Sequence, residues 1–185
     1  MTFYTATTLD GFIADPDDSL DWLLRQPQEE DAPLSYDAFI ADIGAIVMGS
    51  TTYEWLLQHQ AQVADDLGSP WPYPMPAWVM TTRDLTPIAG ADIRFASGDV
   101  RPVYDAMAAA AGGKDLWVVG GGDLAGQFAD ADLLDELIVY VAPVVLGAGR
   151  PLLNRRLDLE LLETGRSAGF TCARYRVAGP LLEDR

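Results

Sequence analysis

The stretch Leu116–Phe128, "LWVVGGGDLAGQF", decides how this chain folds. A run of apolar, mostly branched residues stops at Gly120, Gly121 and Gly122; Asp123 then opens a stretch with Leu124 and Phe128 four residues apart. The first part has the composition of a buried strand and the second the period of a helix. Three glycines weaken either element, because glycine loses the most backbone freedom on folding. Between a strand and a helix they have two readings: a turn that packs the helix tightly against the sheet, or a cradle for a ligand. Without a Cβ the backbone can approach a ligand closely, and the helix start beyond offers unpaired N–H groups and a partial positive charge.

The same organisation recurs along the chain. "AIVMG" reads as a short buried strand and runs directly into "STTYEWLL", a helix starting after Gly49. "FYTATTL" predicts a first strand with a turn at Asp10-Gly11, and "SYDAFIADI" a helix. "AWVMTT" and "IRFA" predict strands, and "VYDAMAAAA" a helix ended by Gly112-Gly113. "LDELIVYVAPVVLG", "LELLET" and "GFTCARYRV" close the chain as strands. "AQVADDLGSPWPYPMPA", rich in proline, is expected to be an irregular but ordered excursion. Strands separated by helices imply a parallel sheet core covered on both faces, and the last strands an antiparallel extension. The expectation is a single α/β domain over residues 1–185.

Composition narrows the function. The chain has 185 residues, 28 acidic against 12 basic, for a formal net charge of −16. Nucleic-acid phosphates and anionic membrane surfaces need clustered Lys and Arg, so neither is expected as a partner. One cysteine, Cys172, excludes an intrachain disulfide and a cysteine-rich metal site; no metal is expected. The start "MTFYTATTLDGF" lacks a signal peptide's basic and apolar regions, and the longest apolar run is interrupted by Pro143. A cytoplasmic protein is the simplest reading.

In such sheets ligands bind beyond the carboxyl ends of the strands. "VMGSTTY" (47–53), "VMTTRD" (79–84) and "VVGGGDL" (118–124) are expected to end strands there, and two such ends with Thr81, Thr82 and Arg83 would make a phosphate-binding rim. Gly120, Gly122 and Ala125 also fit the dinucleotide fingerprint G-x-G-x-x-A. That fingerprint belongs to a first strand–helix turn, with an acid after the next strand. Here it comes late, and the next strand ends in apolar residues and Gly147.

Taken in order, "TATTLDGFIA", "AIVMGSTTYEWL", "VMTTR", "VVGGGDLAGQF" and "LLDELIVYVAPVVLGAGRPLL" resemble the dihydrofolate reductase-like superfamily. Within it the chain is more similar to the riboflavin-biosynthesis reductase, the C-terminal half of a bacterial bifunctional deaminase-reductase, from about Phe3 to about Val177. It lacks the deaminase's His/Cys zinc motif. The resemblance implies a mixed, mainly parallel sheet of about eight strands flanked by helices, binding NADPH across strand ends, and a homodimer paired through its sheets. It implies an NADPH-dependent oxidoreductase acting on a small heterocyclic or ribosylamino molecule such as a ribosylaminopyrimidine phosphate. A dihydrofolate reductase proper and a non-catalytic nucleotide-binding module are the alternatives.

Residue by residue, the resemblance puts Ala6 and Ile13 beside the nicotinamide, and Gly49, Ser50, Thr51 and Thr52 at a phosphate-receiving helix start. Thr81, Thr82 and Arg83 take the adenosine 2′-phosphate; Gly120, Gly121, Gly122, Asp123, Leu124 and Ala125 take the pyrophosphate. Asp37 or Asp21 polarises or protonates the substrate, with Trp22 and Tyr36 beside it. The family usually carries Arg where Ser50 stands, and dihydrofolate reductases an aromatic where Ala125 stands. Trp22 reads equally as a substrate cover and as a core side chain. Asp10 reads as a turn residue, His59 as a solvated side chain and Cys172 as a small core residue. "GAGRPLL" (147–153) reads as a glycine turn between antiparallel strands, with Arg150 near a substrate phosphate as the alternative.

Overall fold

The computed structural model describes residues 1–27, 29, 34–67 and 69–181. Along the chain run β1 (Thr2–Thr8), β2 (Phe12–Ala14), α1 (Asp21–Leu24), α2 (Tyr36–Ala41), β3 (Ile43–Gly49), α3 (Ser50–Gln58), α4 (Gln60–Leu67), β4 (Ala77–Met80) and β5 (Ile93–Ala96). They continue with α5 (Val100–Ala110), β6 (Asp115–Gly120), α6 (Gly122–Asp130), β7 (Glu136–Ala142), β8 (Arg150–Pro151), β9 (Leu157–Ser167) and β10 (Phe170–Pro180). Eight strands form one sheet in the order β5-β4-β3-β6-β1-β7-β10-β9. The pairings from β5 across to β7 are parallel, while β10 runs antiparallel to both β7 and β9. The mixed α/β architecture with antiparallel closing strands is the one the sequence predicts.

Both faces of the sheet are covered because strand side chains alternate. On β3, Ala45 and Val47 join one core with Val118, Val103, Met107 and Phe128, under α5 and α6. Ile46 and Met48 point the other way and pack with Tyr53, Leu56, Trp71 and Trp117. A third, smaller cluster gathers Trp22, Ala142, Phe170 and Cys172.

Three elements depart from the expectation. Residues 60–67 form α4 instead of beginning an irregular excursion; the first proline of the 61–77 stretch is Pro70, and no proline or glycine falls within 60–67 to break a helix. The other two are β2 and β8, which pair as a small antiparallel ladder outside the main sheet. The predicted glycine turn at 147–153 therefore contains a strand. Gly149 lies so close to β2 that a Cβ there would stand 2.1 Å from the Ala14 carbonyl oxygen. Asp10 anchors this loop: its carboxylate accepts from the N–H groups of Leu146 and Gly147 and from the Thr8 hydroxyl. Those bonds, the Thr8 hydroxyl first, hold its carboxyl below the usual range.

Candidate active site

A cleft of about 1040 Å³ opens at the carboxyl ends of β3 and β6. Two helices begin at its edge, and neither is capped by a side chain. The N-cap of α3 is Gly49 and that of α6 is Gly121. By contrast the Ser35 hydroxyl accepts the Ala38 N–H at the start of α2, and the Asp99 carboxylate the Arg101 N–H at the start of α5. Gly49–Thr52 and Gly120–Leu124 line the cleft, so it carries two helix N-termini with no side-chain cap.

Each of the three glycines has its own reason. A Cβ on Gly120 would stand 2.9 Å from the Thr52 hydroxyl, so this glycine lets α3 close on β6. A Cβ on Gly122 would stand 2.3 Å from the Leu152 carbonyl oxygen and 2.5 Å from that of Pro151, so β8 packs directly on the start of α6. Only Gly121 faces open space. The peptide between Gly120 and Gly121 is cis.

The other wall is aromatic. Tyr4 of β1, Tyr36 of α2, Tyr73, Trp117 of β6 and Tyr140 of β7 all line the cleft. Trp117 meets Tyr36 at 5.9 Å and Tyr73 at 5.5 Å between ring centres, edge to face; Tyr4 lies 5.6 Å from Tyr140. Tyr4 and Tyr140 both donate to the Leu34 carbonyl, at 3.2 and 2.8 Å, and the Trp117 indole N–H donates to the Tyr4 carbonyl at 3.1 Å. Burial pushes the phenols of Tyr4 and Tyr73 up, and those of Tyr36 and Tyr140 up to about 12, so this wall is uncharged at neutral pH. No hydrogen-bond partner satisfies the hydroxyls of Tyr36 and Tyr73 among the described residues.

Charge enters at the rim. Asp18, Glu29, Asp123 and Arg150 line the cleft. The Arg150 guanidinium of β8 grips Asp18 with two bonds, Nε to Oδ1 at 2.5 Å and Nη2 to Oδ2 at 2.9 Å, which hold the Asp18 carboxyl below its usual range. Asp123 accepts from Asn154, Gln127 and Arg155, and is likewise lowered. The Ala168 N–H donates to Glu29. Among the described residues no group of three His, Cys, Asp or Glu side chains is placed to hold a metal, and no helix is long and apolar enough to cross a membrane.

Comparison with known proteins gives this geometry a family. The RibD C-terminal domain model matches residues 1–169. The chain belongs to the RibD C-terminal domain family. It is 30% identical over 151 residues to the uncharacterized Bacillus subtilis protein YwjB, covering 82% of this chain and 80% of that one. A Shewanella sp. PV-4 protein named for riboflavin biosynthesis superimposes with a TM-score of 0.76 at 26% identity, over 95% of this chain and 97% of that one. Acinetobacter baumannii RibD shares the fold, with a TM-score of 0.64 at 17% identity; the match covers 96% of this chain and 57% of that one.

Within this RibD-type domain the predicted site residues divide. Ala6, Ile13, Tyr36, Gly49, Ser50, Thr51, Thr52 and Gly120–Leu124 all line the cleft. Ala125 does not: it is fully buried in the core beneath α6. Thr81, Thr82 and Arg83 lie past the end of β4, off the lining. Arg83 nonetheless reaches back to α3, donating to the Ser50 hydroxyl at 2.6 Å and pairing with Glu54 at 2.8 Å. A guanidinium thus stands against Ser50 at the start of α3. Tyr53 secures that approach, donating to the Thr86 carbonyl and accepting the Ile88 N–H. Asp21 and Asp37 are exposed on α1 and α2 and lie outside the lining; on α1 the neighbouring Trp22 takes the inward face, and on α2 the partly buried residues are Phe39 and Ile40. Trp22 is 4% exposed and packs with Phe170 and Cys172, which makes it a core side chain.

Sequence reading missed Tyr4, Tyr73, Trp117 and Tyr140. A signal existed for two of them: Tyr4 is two residues before Ala6, and Trp117 two before Val119, so each shares its partner's face of the sheet. Tyr140 stands opposite Ala6 in the β1–β7 register, which no local pattern shows. Tyr73 sits in the proline-rich excursion.

Proposed function

We propose that this RibD-type domain is an NADPH-dependent reductase that transfers hydride to a small heterocyclic or ribosylamino substrate. One observation carries the reading: two glycine-capped helix starts converge on a cleft whose other wall is aromatic. The amides of Gly49–Thr52 and Gly120–Leu124 suit the phosphates of a dinucleotide, and Ala6 and Ile13 leave room for the nicotinamide. Arg83, backed by Thr81 and Thr82, is the cation for a 2′-phosphate, and its guanidinium geometry suits bidentate capture. NADPH supplies the hydride when bound; the chain supplies position. Tyr36, with an unpartnered hydroxyl on the lining, takes the role of hydrogen-bond donor to the substrate in place of Asp21 or Asp37.

Trp55 and Trp117 line the cleft, so NADPH should quench tryptophan fluorescence saturably. Arg83→Ala should weaken NADPH at least about tenfold while changing NADH little, the worth of a charged hydrogen bond. A flat titration with both nucleotides refutes the reading. We also propose that the chain pairs as a homodimer through the apolar surface around β7, β9 and β10. There Leu159 and Leu161 are exposed beside a groove lined by Leu137, Val139, Val141, Ala173 and Tyr175. Analytical ultracentrifugation of Leu161→Glu, giving a monomer where the parent chain is a dimer, tests this.

A further inference from the structure

We infer that Tyr73 is a second substrate-binding residue, acting with Tyr36 on the edge of a planar ring that carries an N–H and a carbonyl. The inference rests on the reductase reading above and deepens it. The proline-rich segment sets the position. In "SPWPYPMP" (69–76) every second residue is proline, and Ser69, Trp71, Tyr73 and Met75 each precede one. Proline fixes its own φ and keeps the residue before it out of the helical region, so the stretch has little freedom to lose on ordering. Trp71 and Met75 are buried in the core on either side of Tyr73. The Ser69 hydroxyl accepts the Trp71 N–H at 3.3 Å and donates to the Trp71 carbonyl at 3.0 Å. At the other end the Pro76 carbonyl accepts the Ile46 N–H of β3 at 3.0 Å. A stiff segment anchored on both sides thus holds Tyr73 on the cleft lining.

Tyr73 uses its ring for packing and leaves its hydroxyl unused. The ring meets Trp71 at 5.2 Å and Trp117 at 5.5 Å, both edge to face. Tyr36 meets the same Trp117 at 5.9 Å, so both phenols stand on one indole. Among the described residues neither of their hydroxyls has a partner, whereas those of Tyr4 and Tyr140 are both committed to the Leu34 carbonyl. Burial first, then the neighbouring Tyr36 phenol, keeps Tyr73 neutral. A neutral phenol donates one hydrogen bond and accepts others. Two of them match a ring edge on which a carbonyl oxygen adjoins an N–H: one hydroxyl donates and the other accepts. A ring lacking either group leaves a phenol unpaired, which is the stronger source of selectivity. A ribosyl or phosphate group elsewhere on the ring makes no demand on either phenol.

The test titrates the full chain by calorimetry with 5-amino-6-ribosylaminouracil 5′-phosphate and with ribose 5-phosphate, a probe without the ring. Saturating NADP⁺ fills the nucleotide site without turnover. Tyr73→Phe keeps the ring contacts with Trp71 and Trp117 and removes only the hydroxyl, so its urea midpoint at neutral pH should match the parent's. It should bind the uracil compound about tenfold more weakly, the scale of a hydrogen-bonding group left unpaired. Its response to ribose 5-phosphate and to NADP⁺ should equal the parent's. Tyr36→Phe should behave in the same way. Parent-like binding of the uracil compound by Tyr73→Phe overturns the inference. An equal loss for ribose 5-phosphate also overturns it, because Tyr73 would then serve the sugar end. Uptake of NADP⁺ with the uracil compound unbound overturns it too and leaves the reductase reading standing. Failure of the nucleotide to bind sinks that reading, and Tyr73→Phe against the parent in nucleotide-free protein still decides this one.

Discussion

The two walls of the cleft are built by opposite means. The glycine wall is nearly all backbone: Gly49 and Gly121 cap helices without side chains, and Gly120 and Gly122 exist to let other atoms come close. The aromatic wall is nearly all side chain, with Trp117 and Tyr4 standing on the sheet and Tyr36 and Tyr73 leaning in from outside it. The first wall offers donors fixed by the main chain, which suits a constant anionic ligand. The second offers area and neutral hydroxyls, which suits a variable planar one. Within one fold the backbone wall can persist while side chains re-specify the other.

Breaking the aromatic wall should have the largest effect. Trp117 is 4% exposed and touches Tyr4, Tyr36, Phe39 and Tyr73, so Trp117→Ala leaves a large void. A loss of about 3–5 kcal/mol is expected, read from the urea midpoint. On the glycine wall, Gly122→Ala forces a methyl onto the carbonyl oxygens of Pro151 and Leu152, which cannot yield without moving β8. Overpacking of about 1–3 kcal/mol is expected, together with weaker NADPH binding. Gly126→Ala is the milder comparison: the atoms nearest its Cβ belong to the Arg155 side chain, Cγ at 2.9 Å, and not to backbone, so stability should fall by less than in Gly122→Ala. Equal destabilisation by both alanines would refute the close-approach reading of Gly122.

How much of each wall could be read from sequence follows from the same difference. The glycine wall is local: "VMGSTTY" and "VVGGGDL" each hold a strand end, a cap and a helix start within seven residues, and all three show as composition. The aromatic wall is non-local. Tyr4 and Tyr140 are 136 residues apart in the chain yet share the Leu34 carbonyl, a meeting made only by the β1–β7 register. The Asp18–Arg150 pair needs β2 and β8, too short to show a period. Asp21 and Asp37 illustrate the converse: a carboxylate near the right elements was visible, but not which helix face it takes. The sheet itself was legible because its strands are apolar runs punctuated by glycine and proline.

Alkaline pH should separate the walls without mutation. The aromatic wall holds phenols raised by burial; the glycine wall holds none. A group protonated more tightly in the folded state stabilises folding below its unfolded value, near 10 for tyrosine, and the contribution drains away as pH rises through the folded value. For Tyr36 and Tyr140 that window ends at about 12. Urea midpoints should therefore fall between about pH 10 and about pH 12. Tyr36→Phe should fall less steeply; an identical slope would place Tyr36 ionisation outside the folding equilibrium.

The smallest expected effect sharpens the backbone wall at its one charged edge. Arg83 shares its guanidinium between the Ser50 hydroxyl and the Glu54 carboxylate, at 2.6 and 2.8 Å. The pair is solvent-exposed, with Arg83 at 51%, so breaking it costs no more than about 1 kcal/mol. An incoming 2′-phosphate must compete with Glu54 for the same nitrogens. Glu54→Gln removes the competing charge and keeps the side-chain length, so NADPH should bind about two- to fivefold more tightly, with NADH unchanged. The gain should shrink with added salt, as screening weakens both contacts. Should Glu54→Gln tighten NADH equally, Arg83 would be responding to the pyrophosphate and not to the 2′-phosphate, and the cofactor's adenosine end would lie closer to the start of α3 than the reading above places it.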